Sequence, residues 1–187
     1  MARQTSITIP DKFNEADLAA ELGLRLRGMP AGGSRQPSLT TSAATVIWID
    51  AGDEVLVHLD SVQVRMLNGT LLVSVDLETD QTGCSPLVVA LSLGAGDPAG
   101  LVATTDQVPR GHPVLASRWG RPLQAAVWAS LLGLAKDHAI ERNAAPQAIQ
   151  VMQGELSLQA GQPAPISPGS PGLPGRHDGH GGHEGQR

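Results

Sequence analysis

The strongest constraint on folding is the Asn68-Gly69 pair, which lies between two runs of alternating apolar residues within 54–78. Asn-Gly favours a two-residue hairpin turn of type I′, because that turn needs positive φ at both central positions. The turn sets the strand register and places Met66 opposite Leu71 and Val64 opposite Val73. One face of the predicted hairpin is then entirely apolar, with Val62, Val64, Met66, Leu71, Val73 and Val75.

The alternation changes phase in the first of these two strands. Apolar positions are odd-numbered as far as Leu59 and even-numbered from Val62 onwards. Either a bulge at Asp60-Ser61 or a tight turn between two short strands would absorb the change. We favour the bulge in one long strand, because Leu59 then lies opposite Leu77 on the core face.

Two helices and several further strands are predicted around the hairpin. Residues 14–27 predict a short helix with Asn14 as its N-cap, and 122–142 predict a long helix that begins at Pro122. The long helix is apolar nearly all round, which is typical of a helix buried on more than one side. The other predicted strands are 5–9, 44–50, 87–93, 101–105 and 146–159.

These elements predict an α+β fold, in which the long apolar helix packs on an antiparallel meander of five to six strands. The predicted domain organisation is an N-terminal helix and linker (1–42), a single α+β domain (43–159) and a Gly/Pro/His-rich tail (160–187). The tail has almost no large apolar residue, so burial cannot offset its ordering entropy and we expect disorder.

Composition excludes several classes of partner. A net charge of −5 and an aromatic content of 2% provide neither the electrostatic footprint nor the stacking surface of a nucleic-acid-binding protein. The longest apolar stretch, 125–135, is too short to span a bilayer. The N-terminus has no secretory signal pattern, so a cytoplasmic location is expected. The single cysteine, Cys84, cannot form an intrachain disulfide.

The sequence offers two groups of candidate metal ligands. His177, His180 and His183 in the tail could bind a divalent transition metal weakly, since no predicted element would hold them in place. Asp76, Glu78 and Asp80 recur at every second residue, but they lack the spacing of a calcium loop. We interpret them as the charged, solvated end of a strand. No cofactor is expected.

Signals for nucleophilic catalysis are weak. Cys84 or Ser85 could act as a nucleophile with His58, His112 or His138 as base, but no motif pairs them. Loops 79–85, 94–100 and 106–113 provide an alternative, a ligand-binding or enzymatic site that these loops would form together. Its candidate residues are Cys84, Asp97, Arg110 and His112. The lack of a paired motif favours a non-enzymatic role over this alternative.

The favoured hypothesis is an interaction or assembly protein, such as an adaptor, a chaperone-like factor or a subunit of a larger complex. It follows from the predicted helix 122–142, which has more apolar surface than one sheet can cover. Trp119 would be a typical interface anchor if it were exposed between its arginine neighbours. A protein partner or self-association is expected. The candidate interface residues are Arg118, Trp119, Arg121, Trp128 and Leu132.

Overall fold

The computed structural model of the protein describes residues 9–28, 39–40, 44–94, 101–104 and 107–161. Within these residues the fold is α+β, as predicted, with a long helix packed on an antiparallel sheet. In chain order the elements are β1 (Lys12–Asn14), α1 (Glu15–Leu26), β2 (Leu39–Thr40), β3 (Thr45–Asp50), β4 (Asp53–Leu67), β5 (Thr70–Thr79), β6 (Gly83–Leu93), β7 (Ala103–Thr104), β8 (Arg110–Gly111), α2 (Pro113–Glu141), β9 (Pro146–Met152) and β10 (Glu155–Ala160).

The main sheet has the strand order β2-β3-β4-β5-β6-β7, and β8 also pairs with β6. Every neighbouring pair is antiparallel. The predicted hairpin register is confirmed, since Met66 faces Leu71 and Val64 faces Val73. The apolar face of this hairpin is buried in the core. Turn length and side-chain alternation were therefore sufficient to set the register.

The conformation of the hairpin turn differs from the prediction. Gly69 has a φ of 73°, but Asn68 is not in the positive-φ region, so type I′ is wrong. Hydrogen bonds instead attach the turn to the β9–β10 hairpin. The N–H of Gly69 donates to the carbonyl of Val151 (2.9 Å), and the N–H of Gln153 donates to Oδ1 of Asn68 (3.1 Å). These long-range bonds explain why local preference did not decide the turn type.

β4 is one long strand with a register shift between His58 and Gln63, so the predicted bulge is confirmed. The expected pairing of Leu59 with Leu77 is wrong, because Val57 occupies that position. The bulge begins one residue earlier than expected. Leu59 is still buried, and its N–H donates to the carbonyl of Ala44 (2.7 Å).

α2 begins at Pro113 rather than at Pro122. His112 caps it by accepting the N–H of Val114 at Nδ1 (3.4 Å), and Pro113 takes the first helical position. Pro122 lies inside the helix, where it removes one backbone donor. Packing along the length of α2 outweighs this local cost.

The C-terminal region 146–159 is a hairpin and not the single strand predicted. β9 and β10 pair around a turn at Gln153-Gly154, where Gly154 has a φ of 75°. β10 also pairs with β1, a strand that the sequence did not predict. The predicted strand 5–9 lies almost wholly outside the described residues.

α1 belongs to the same core as the sheet. Its N-cap is confirmed, because Oδ1 of Asn14 accepts the N–H of Asp17 (2.8 Å). Leu18, Leu22 and Leu26 are fully buried in the core cluster. The main sheet, α1 and the β9–β10 hairpin thus surround α2 on three sides. This arrangement covers most of the apolar surface of α2 that the main sheet alone would leave exposed.

Asp11 ties the N-terminal segment to the end of α2. Its Oδ1 lies 2.7 Å from Nε2 of His138 and 2.6 Å from Nη2 of Arg142. The hydrogen bond from His138, aided by the positive charge of Arg142, holds the pKa of Asp11 below its usual value. A carboxylate with a depressed folded-state pKa stabilises the fold above its unfolded-state pKa, and this contribution is lost as pH falls through the folded-state value.

We therefore expect Asp11→Asn to lower the melting temperature at pH 7, and the difference from the wild type to shrink as pH falls from about 5 to about 2. Calorimetric melting across this range would measure it. Asp80→Asn is the control, because Asp80 is exposed and has no ion pair among the described residues. A deficit in Asp11→Asn that stays constant with pH would contradict the assignment.

Candidate functional site

Arg118, a candidate interface residue, is engaged within the chain. Its Nε donates to Oδ2 of Asp53 (2.7 Å), and its Nη1 donates to Oδ2 of Asp50 (2.8 Å). Hydrogen bonds to these two carboxylates raise the pKa of Arg118, so the guanidinium stays charged. Both acids flank the β3–β4 turn, where Ala51 has a φ of 52°. Arg118 therefore anchors α2 to a strained turn.

Trp119 is a core residue, with 2% of its surface exposed. The guanidinium of Arg118 lies 4.9 Å from the centroid of its ring. An interface role for Trp119 was predicted on the condition that it be exposed, and the structure does not meet that condition. Its indole contributes to stability instead.

The other three candidate interface residues lie on one side of α2, which is partly open to solvent. Arg121, Trp128 and Leu132 recur at intervals of seven and four, which places them on the same side of a helix. Ala125 and Ala129 fill the positions between them and are exposed, whereas Trp128 and Leu132 are partly buried. We call this surface the outer stripe: Arg121, Ala125, Trp128, Ala129, Leu132 and Lys136.

The outer stripe is apolar at its centre and positive at its ends. Arg121 and Lys136 lie about 22 Å apart along the helix axis. Neither forms an ion pair with a described residue, and the stripe contains no carboxylate. Val114 (44% exposed) and Ile140 (72% exposed) extend the apolar surface at either end. This local positive charge contrasts with the net charge of −5.

The residues considered for nucleophilic catalysis are only partly brought together. Cys84 lies near His58 and Glu78 on the outer face of the sheet. Partial desolvation by neighbouring atoms, together with the charges of Asp76 and Glu78, raises the pKa of the exposed Cys84 thiol. The protonated thiol therefore prevails at neutral pH, which does not suit a nucleophile.

The other two candidate bases have structural roles. His138 is 1% exposed and bound to Asp11, and His112 caps α2. Both imidazoles are therefore engaged in contacts that stabilise the fold.

The described residues of the three loops proposed as an alternative site are spread along β6. Cys84 and Gly94 lie at opposite ends of β6, and Arg110 pairs with Val88 between them. Asp97 and the tail histidines His177, His180 and His183 lie outside the described residues. A cavity of about 240 Å³ lies on the outer face of the sheet beside Arg110, with Leu67, Leu72 and Val88 in its walls. This volume is below the range of about 300–1,000 Å³ that is usual for small-molecule sites.

Neither a family model, nor a curated protein, nor a solved structure matches this chain. Among the described helices, none combines the length and the apolar character needed to cross a membrane.

Sequence reasoning missed three members of the outer stripe: Ala125, Ala129 and Lys136. The signal was present as helical spacing from Arg121, but the sequence does not show which side of a nearly all-apolar helix faces outward. That side is set by the positions of α1 and the β9–β10 hairpin, which cover the rest of α2. The predicted interface residues correspondingly included both outward and inward members.

Proposed function

We propose that this chain is a non-enzymatic interaction protein, and that its outer stripe binds an amphipathic helix with acidic flanks on a protein partner. The observation that carries the proposal is the stripe itself, an apolar strip on a largely buried helix that ends in two cations, neither of which forms an ion pair with a described residue. Exposed apolar surface rimmed by charge is typical of protein-binding sites.

The side chains of the stripe favour a helix as the occupant. Ala125 and Ala129 are small, so the backbone of a second helix can approach closely between Trp128 and Leu132. The two larger side chains supply apolar anchors, and tryptophan is enriched among the residues that dominate binding energy. The partner helix would place its apolar seam over the alanines.

The charges favour an acidic partner over a second copy of this chain. In an antiparallel pair of copies with Trp128 opposite Ala129, Arg121 of one copy would face Lys136 of the other. Like charges in contact disfavour that arrangement. Glutamates on a partner helix, spaced about 22 Å apart, would instead neutralise both ends of the stripe.

A matched pair of synthetic helical peptides tests this proposal. Both carry leucine at the seam positions of three heptads, and one has glutamate at the flanking positions where the other has lysine. We expect isothermal titration calorimetry to show binding of the glutamate peptide with about thirtyfold preference. Two ion pairs of about 0.5 kcal/mol each, and two repulsions of similar size in the lysine peptide, amount to about 2 kcal/mol.

Ala129→Glu should abolish binding by placing a charge at the centre of the stripe. Ala20→Glu is the matched control, because Ala20 is an exposed helical alanine on α1 outside the stripe. Equal loss of binding in both variants, or no binding of either peptide by the wild type, would refute the proposal. Sedimentation of the chain alone as a dimer that Ala129→Glu dissociates would assign the stripe to self-association instead.

A further inference from the structure

Three neighbouring strands bring three different metal-ligand side chains together on the sheet face opposite α2. His58 is on β4, Glu78 on β5 and Cys84 on β6. Glu78 lies directly opposite Cys84 and diagonally across from His58, which pairs with Asp76. Antiparallel pairing therefore fixes the relative positions of all three. The sequence separates them by loops and gives no local motif.

The distances suit a common ion. Nε2 of His58 lies 3.0 Å from Oε2 of Glu78, and the nitrogen, carboxylate oxygen and thiol sulfur all lie within 4.8 Å of one another. Zinc bonds of about 2.0–2.3 Å in a tetrahedron bring ligand atoms to about 3.3–3.8 Å from one another. Small side-chain rotations would therefore close the group around an ion. Binding would release the proton of the Cys84 thiol to solvent, and the ion would replace the proton between His58 and Glu78.

The site is accessible and lacks a compensating cation. Cys84 is exposed, and His58 and Glu78 remain partly open to solvent, so an ion can enter. Among the described residues, no lysine or arginine forms an ion pair with Asp76 or Glu78. Within the described part of the chain, the imidazole of His58 is the one basic group that pairs with Glu78.

The bulge in β4 holds the backbone at His58, one of the three ligand residues, in place. Oγ of Ser61 donates to the carbonyl of His58 and accepts the N–H of Asp76, each at 2.7 Å. These bonds join β4 and β5 next to the site and fix the backbone of His58. Such bulges commonly direct a side chain towards a functional position.

We propose that His58, Glu78 and Cys84 bind a zinc-like divalent ion, with water or Asp76 in the fourth position. A thiolate and an imidazole select a borderline transition metal over Ca²⁺ or Mg²⁺, which prefer oxygen ligands alone. The site is separate from the outer stripe, so it goes beyond the interaction function and can fail independently of it.

Cobalt(II) is the probe, because thiolate ligation gives a charge-transfer band that imidazole and carboxylate ligands do not produce. The full chain, reduced and freed of metal, should bind one Co²⁺ per monomer with this band, and Zn²⁺ should displace the Co²⁺. The triple variant His177→Gln, His180→Gln and His183→Gln should keep the band, since these tail residues are not part of the proposed site.

Cys84→Ser should remove the band, and Glu78→Gln and His58→Gln should each weaken Co²⁺ binding at least tenfold, with circular dichroism checking that each variant is folded. Three results would overturn the proposal: no thiolate band in the wild type, loss of the band in the tail variant, or unchanged affinity in both Glu78→Gln and His58→Gln. Sedimentation as a metal-bridged dimer through Cys84 would also overturn it.

Discussion

Trp119→Ala is expected to lower the free energy of unfolding by about 3–5 kcal/mol, the range found for truncating a buried aromatic residue. The indole is 2% exposed, so its removal leaves a cavity among residues that cannot fully collapse. The guanidinium of Arg118 also loses the ring beneath it. Urea unfolding followed by circular dichroism would measure the change.

Ala129→Glu, on the exposed side of the same helix, should change the free energy of unfolding by less than about 0.5 kcal/mol. The pair separates the two roles assigned to α2, since one substitution affects stability and the other affects binding. A decrease in the free energy of unfolding of less than about 1 kcal/mol in Trp119→Ala would show that this side chain does not stabilise the core as expected.

Gly120→Ala should destabilise the protein by about 1–3 kcal/mol, although glycine to alanine inside a helix usually stabilises it by about 1 kcal/mol. A Cβ at position 120 would lie 2.5 Å from both Cβ and Cγ of Pro109. The proline ring is rigid and cannot rotate away. The helix would therefore have to move from the segment that precedes it, and thermal unfolding would detect the loss.

Gly133→Ala on the same helix is the matched control. Its new Cβ would meet Nη1 of Arg25 at 3.2 Å, the far end of a flexible side chain that can shift by a few tenths of an ångström. The helix-propensity gain should therefore offset the contact, and stability should stay within about 1 kcal/mol of the wild type. If Gly120→Ala and Gly133→Ala changed stability by the same amount, contact with Pro109 would not be the cause of the loss.

The predictions that the structure confirms depend on local patterns. The register of the β4–β5 hairpin follows from alternation of apolar side chains, and the start of α1 follows from the side chain of Asn14. Both are decided within a few residues of the chain. The α+β class follows from counting such elements.

The errors occur where distant contacts override local preference. Asn68 does not adopt positive φ, because its amide oxygen is bound to the N–H of Gln153, 85 residues further on. Pro122 does not begin α2, because packing of α2 against the core stabilises a helix that continues through this residue. Gly154 was predicted as a kink in one strand and not as a hairpin turn, because Gln-Gly is a weaker hairpin signal than Asn-Gly.

The candidate site was predictable only in part. Helical spacing identified Trp128 and Leu132, but nothing local distinguishes their side of α2 from that of Trp119. The orientation depends on how α1 and β9–β10 cover the helix. Likewise, the approach of His58 to Glu78 and Cys84 depends on strand pairing across a bulge, whose register was predicted incorrectly.

In the proposed function, the charged ends of the outer stripe select an acidic partner. The double variant Arg121→Glu, Lys136→Glu tests it directly, because both residues are exposed and the substitutions leave the apolar centre intact. Calorimetric titration should show a reversed preference, with the variant binding the lysine-flanked peptide more tightly than the glutamate-flanked one. A preference for the glutamate-flanked peptide that persists in the variant would contradict the claim.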